Sequence, residues 1–121
     1  MTSAPIKIKY TLTLTAEGEA PETISGEGEQ IEREGKTLLR LGDRRFQIEQ
    51  ECVLIRQGYQ LDLDKHKETE LLYPTPYGTL SMKVRTKQLK ISDGAIYAKY
   101  ALYTGGQLLH YVEMNLKTER I

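Results

Sequence analysis

A chain of 121 residues is expected to form a single domain, 1–121, with one core and no room for a second. Its 17 basic and 17 acidic side chains cancel, which argues against nucleic acid as a partner because no net field steers a polyanion. No apolar stretch is long enough to cross a membrane as a helix. The lone Cys52 excludes an intrachain disulfide, and residues 1–7 lack a secretory apolar segment, so the expected location is cytoplasmic.

In chain order, the first pattern is strict alternation. Ile6, Ile8, Tyr10, Leu12 and Leu14 interleave with Lys7, Lys9, Thr11, Thr13 and Thr15, which predicts a strand with one buried face. Segments 22–32, 36–41 and 44–50 read as further strands, separated by Gly35 and by Gly42-Asp43. The first lies in an acidic stretch, with seven glutamates and one arginine between Glu17 and Glu34.

In the strand read at 52–56, the apolar run Cys52-Val53-Leu54-Ile55 predicts a buried, inert thiol for Cys52. Arg56 closes that run. Facing outward it is a surface group; facing inward it needs a carboxylate or a ligand anion, because a buried unpaired charge is costly. Segments 59–64 and 68–73 follow, with His66 in a charged and exposed turn. In 73–80, Pro74 and Pro76 hold the backbone extended and Gly78 relieves a turn. Tyr77 is there either a rigid corner or a lid over one end of the fold.

Beyond this turn, 80–85 and 88–92 read as two short strands, with the basic group Lys83, Arg85, Lys87 and Lys90. Ile96, Ala98, Tyr100 and Leu102 alternate again, as do Leu108, His110, Val112, Met114 and Leu116. A three-residue loop, Thr104-Gly105-Gly106, keeps Leu102 opposite Leu108 and sets Tyr100 opposite His110, both pointing inward.

No window of ten residues carries a helical stripe. Short strands with short connections favour antiparallel neighbours, and with no helix to cover the apolar face the sheet is expected to close. The fold class is all-β: a closed antiparallel up-and-down barrel of about 8–10 strands. An immunoglobulin-type sandwich is the rival, but it usually carries a core Trp and often a Cys pair, both missing here.

The segment Tyr73-Pro74-Thr75-Pro76-Tyr77-Gly78-Thr79-Leu80, with Thr86-Lys87-Gln88-Leu89-Lys90-Ile91, resembles the signature of the YwiB-like family. Glu27-Gly28, Gly35-Lys36, Leu39 and Ile55-Arg56-Gln57-Gly58 upstream, and Tyr100 and Gly106 downstream, follow the same order. The resemblance runs from about Ile6 to Lys117. It implies a calycin-like, lipocalin-like barrel from a bacterial family of uncharacterised proteins, and it brings no activity. The Gly-x-Trp signature of true lipocalins is absent, since the chain has no Trp.

Two function classes follow. In the first, the interior holds a small, largely apolar ligand, with Tyr10, Tyr100 and His110 as polar points, Arg56 as an anion partner and Tyr77 as a lid. The aliphatic lining is then Ile6, Ile8, Leu12, Leu80, Val84, Leu102, Val112 and Leu116. In the second, the core is filled and the chain is a protein-interaction or homodimerisation module, working through the acidic 27–34 stretch or the outer face of Tyr97, Tyr103 and Tyr111. Enzyme chemistry has no residue to rest on: Ser81 has no partner histidine near it in sequence, and Asp62 and Asp64 share a solvated strand face. Two distant histidines and one cysteine do not form a metal site, and no cofactor is expected.

Overall fold

The structure, a computed structural model, describes residues 4–121. The described residues form ten strands and no helix: β1 (Ile6–Ala16), β2 (Glu22–Arg33), β3 (Lys36–Leu41), β4 (Arg44–Ile48), β5 (Cys52–Arg56), β6 (Gln60–Asp64), β7 (Thr69–Thr75), β8 (Gly78–Ser92), β9 (Ala95–Thr104) and β10 (Gln107–Arg120). Each strand pairs antiparallel with its chain neighbours, except that β6 and β7 do not pair. The first and last strands pair instead, Leu12 opposite Leu116, which joins the two meanders into one ten-stranded sheet.

The sheet curls into a barrel whose only break in hydrogen-bonded pairing, among the described residues, is the β6/β7 seam. Side chains span it. The Thr69 hydroxyl donates to the Asp62 carbonyl at 2.6 Å, and the rings of Tyr59 and Tyr73 meet with centroids 5.2 Å apart. Strong curvature is needed on the other side, in β2. β2 pairs with β1 from Glu22 to Gln30, and its pairing with β3 begins only at Glu29 opposite Arg40. Gly28 marks the bend: a Cβ there would stand 2.3 Å from the Arg40 carbonyl oxygen, so no larger residue fits without moving the backbone.

Alternation sends one face of every strand into a common core. Ile8, Leu12, Leu39, Leu41, Phe46, Val53, Leu63, Val84, Met114 and Leu116 are all buried there, with Tyr10 and Tyr100 among them. Burial of this apolar surface drives the closure. The expected lining is largely in place. Ile6 is only half-buried, and Leu80 is exposed because it lies toward the β7–β8 turn.

Two local expectations need correction. Segments 80–85 and 88–92 are one continuous strand, β8, carrying a bulge between Thr86 and Gln88. The extra residue moves the buried set from Met82 and Val84 to Leu89, a change of phase that in sequence looks like a strand end. The β9–β10 hairpin has a two-residue turn, not a three-residue loop. Gly105 and Gly106 both have positive φ, 56° and 81°, and Thr104 pairs with Gln107, as a type I′ turn requires. A bulge between Leu108 and His110 then restores the phase, so Val112 faces Tyr100, His110 faces Leu102 and Leu108 faces Tyr103. Two glycines in sequence made the tight turn available, and the bulge absorbed the resulting mismatch.

Candidate binding surfaces on a filled barrel

The five side chains expected at a ligand site do not converge. Tyr10 and Tyr100 lie in the core. The Tyr10 ring packs on β2, so close that a Cβ at Gly26 would be 3.2 Å from its hydroxyl. Burial raises the Tyr100 phenol above its ordinary value, and nearby Tyr59 adds to the shift. His110 is exposed and not opposite Tyr100, which corrects the inward Tyr100–His110 pair. Tyr77 is 100% exposed at the tip of β7–β8 and covers nothing. Arg56 points outward, with its Nε donating to Gln60 at 3.3 Å.

Within the barrel, the buried side chains form one apolar cluster. Among the described residues one buried side-chain polar atom has no partner, the Thr86 hydroxyl, beside Tyr100 in the β8–β9 ladder. At the end carrying the β2–β3 and β8–β9 turns, a polar opening of about 140 Å³ is lined by Glu32, Thr37 and Asp93 among others. The Thr37 hydroxyl donates to Glu32 there at 2.9 Å.

The opposite end carries an apolar cluster on one side, beside the charged β1–β2 and β3–β4 turns. Antiparallel order brings the β5–β6, β7–β8 and β9–β10 turns to it, and Thr104 reaches the Ser81 carbonyl at 3.5 Å. Tyr59 is half-buried over the core and tilts against Tyr73. Beyond them Leu72, Tyr73, Tyr77, Leu80, Leu108 and Leu109 are exposed. Large apolar side chains gathered at one end are the feature that marks interaction surfaces, in contrast to singly scattered ones. The Tyr-bearing outer face is different. Tyr97, Tyr103 and Tyr111 are half-buried, the Arg85 guanidinium lies 4.8 Å from the Tyr103 ring centre, and the Lys99 ammonium 5.6 Å from that of Tyr111.

A groove of about 230 Å³ runs over the outside of β2–β5. Because Leu39, Phe46 and Ile55 point into the core, their neighbours Leu38, Gln47 and Leu54 point out. Ile31, Leu38 and Leu54 form its apolar floor, each half-buried. One rung toward the apolar end, Glu29, Arg40, Arg45 and Arg56 sit side by side across four strands. Among the described residues none of these arginines has an ion-pair partner within 4.0 Å. Three basic groups elsewhere do: Arg85 with Glu68 at 2.5 Å, Lys83 with Glu70 at 4.0 Å and Lys36 with Glu49 at 3.1 Å.

Comparison with known proteins follows the same lines. The model of a domain of unknown function, DUF1934, matches residues 8–116. The chain belongs to the DUF1934 family. The crystal structure of the ywiB protein from Bacillus subtilis superposes with a TM-score of 0.73 at 16% identity, over 97% of this chain and 92% of that one. A likeness at that identity concerns the fold, and it agrees with the YwiB-like resemblance of the sequence. Comparison with the curated proteins finds no match.

In this DUF1934 chain Cys52 is half-buried on the outer face, and its thiol donates to Glu49 at 3.1 Å. Burial first, then that hydrogen bond, pushes the thiol up to about 11, which keeps it protonated and unreactive at neutral pH. Among the described residues no three His, Cys, Asp or Glu side chains converge as metal ligands, and no helix is long and apolar enough to cross a membrane. Sequence reasoning missed Arg40 and Arg45 as neighbours of Arg56. The signal was present: a two-residue Gly42-Asp43 turn pairs Arg40 with Arg45 directly.

Proposed function

We propose that this DUF1934 protein is an interaction module with a filled core, and that its apolar end is the contact surface for a second copy of itself. The observation that carries the reading is the contrast between a packed interior and a cluster of exposed Leu and Tyr at one end. A two-fold contact sets a patch against itself, so a patch without charge is self-complementary where a charged one repels. Leu72, Tyr73, Tyr77, Leu80, Leu108 and Leu109 meet that condition. The Tyr97, Tyr103 and Tyr111 face meets it less well, because cations lie over two of its rings. Balanced charge and an unpaired Cys52 support a cytoplasmic module with neither nucleic acid nor membrane as partner.

Sedimentation velocity from micromolar to millimolar protein tests the reading. A dimer that forms with concentration and is lost in the double variant Leu80→Ser/Leu109→Ser is expected; a monomer throughout overturns it. A second reading, a small and largely apolar ligand in the interior, is supported by the unpaired Thr86 hydroxyl beside Tyr100. Native mass spectrometry of gently purified protein separates the two. Extra mass released on denaturation supports the ligand, and a bare dimer supports the interaction module.

A further inference from the structure

We infer that the outer groove of β2–β5 binds a small organic anion, its charged head held by Arg40, Arg45 and Arg56 and its apolar part lying on Ile31, Leu38 and Leu54. The site shares no residue with the apolar end, so the two readings stand or fall separately.

Three observations carry the inference. First, the arginines occupy adjacent positions on neighbouring strands, Arg40 opposite Arg45 and Arg45 opposite Arg56. Like charges directly opposite each other destabilise a sheet. Glu29 is the one carboxylate in the row, so the rung keeps a positive excess. Second, two of the three guanidinium groups are oriented, and all three still hold free donors. Arg45 Nη1 donates to the Gly42 and Arg44 carbonyls at 2.7 and 3.1 Å, and Arg56 Nε to Gln60 at 3.3 Å. Both Nη groups of Arg56 and the whole of Arg40 remain unpartnered among the described residues. A planar fork of this kind matches a phosphate or carboxylate.

Third, the charge borders a real concavity with an apolar floor, the arrangement in which a small molecule gains both burial and direction. Its volume of about 230 Å³ lies below the range of about 300–1,000 Å³ usual for drug-sized ligands. It therefore takes one ring or a short chain with one anionic head. The other basic surface differs. The hollow beside Lys87 mixes Lys65, Lys67 and Arg85 with Asp64 and Glu68 and has no apolar floor.

The test is a titration of the full chain with phenyl phosphate, followed by proton–nitrogen correlation NMR, with inorganic phosphate and benzyl alcohol as comparators. Saturable shifts confined to the amides of Leu38, Arg40, Arg45, Leu54 and Arg56 are expected, with weaker binding of either comparator. Arg40→Gln and Arg56→Gln each weaken phenyl phosphate by about tenfold while leaving the spectrum folded. The inference is overturned if shifts do not saturate, centre on Lys87 and Lys90, or persist with equal affinity in both variants. It is also overturned if benzyl alcohol binds as well. Saturation of the same amides by polyglutamate or a single-stranded oligonucleotide, but not by phenyl phosphate, overturns it in favour of a macromolecular partner.

Discussion

The two faces of β3, β4 and β5 are built from the same strands and end differently. Inward, Leu39, Phe46 and Ile55 form one rung of a sealed core. Outward, Leu38, Gln47 and Leu54 form the next rung of an open groove, bordered by three arginines and one carboxylate, Glu29. Both faces are rich in large apolar atoms, so apolarity alone does not separate them. What separates them is closure: the inner face meets the far wall of the barrel, and the outer face meets water. An apolar side chain that packs stabilises the fold, and one left at the surface is available for a partner.

The largest test of that contrast is on β4, where Phe46 is 2% exposed. Phe46→Ala is expected to destabilise by about 3–5 kcal/mol in chemical denaturation, because the core around it relaxes only partly. Gln47→Ala, one residue on and facing out, should stay within about 0.5 kcal/mol. Similar losses at the two positions contradict a sealed inner face and an open outer one.

A smaller effect comes from the buried phenol. Burial raises Tyr100 above its ordinary value of 10.0. Below pH 10 the phenol is neutral in both states and its contribution is intact. Above pH 10 the unfolded chain releases the proton and the folded chain does not, so stability falls by about 1.4 kcal/mol per pH unit until the folded value is reached. Denaturation at pH 9 and pH 11 should show this loss, and Tyr100→Phe should reduce it. An unchanged loss in the variant means that water reaches the phenol and that the core is less sealed than described.

The smallest effect is on the outer rung. The Arg40 side chain makes no hydrogen bond or ion pair among the described residues, and Arg40 faces Arg45. Arg40→Gln is expected to raise stability by a few tenths of a kcal/mol, most clearly at low salt. A loss of stability at low salt instead implies a partner for Arg40 and removes the reason to read the rung as unpaired.

Much of the fold was legible locally. Ile8, Tyr10 and Leu12 could be placed inside from their neighbours alone, since a strand alternates with period two. The candidate site was less legible. His110 has the parity of Val112 and Met114, yet it is exposed because it lies near the turn, where the opposite wall no longer covers it. Leu80 behaves likewise. Arg56 was left undecided between the faces because an apolar run on both sides carries no phase, and pairing with Arg45 resolved it.

An all-β chain, its antiparallel order and most of its interior could be read along the chain, because alternation and turn residues act over a few positions. Curling of the whole sheet set where the barrel leaves its seam, between β6 and β7, and which strands carry bulges. It alone brought Arg40, Arg45 and Arg56 together and gathered the exposed leucines and tyrosines at one end. Those facts depend on curvature and register summed over ten strands, and a one-residue bulge changes which residues meet without leaving more than a phase change in the sequence.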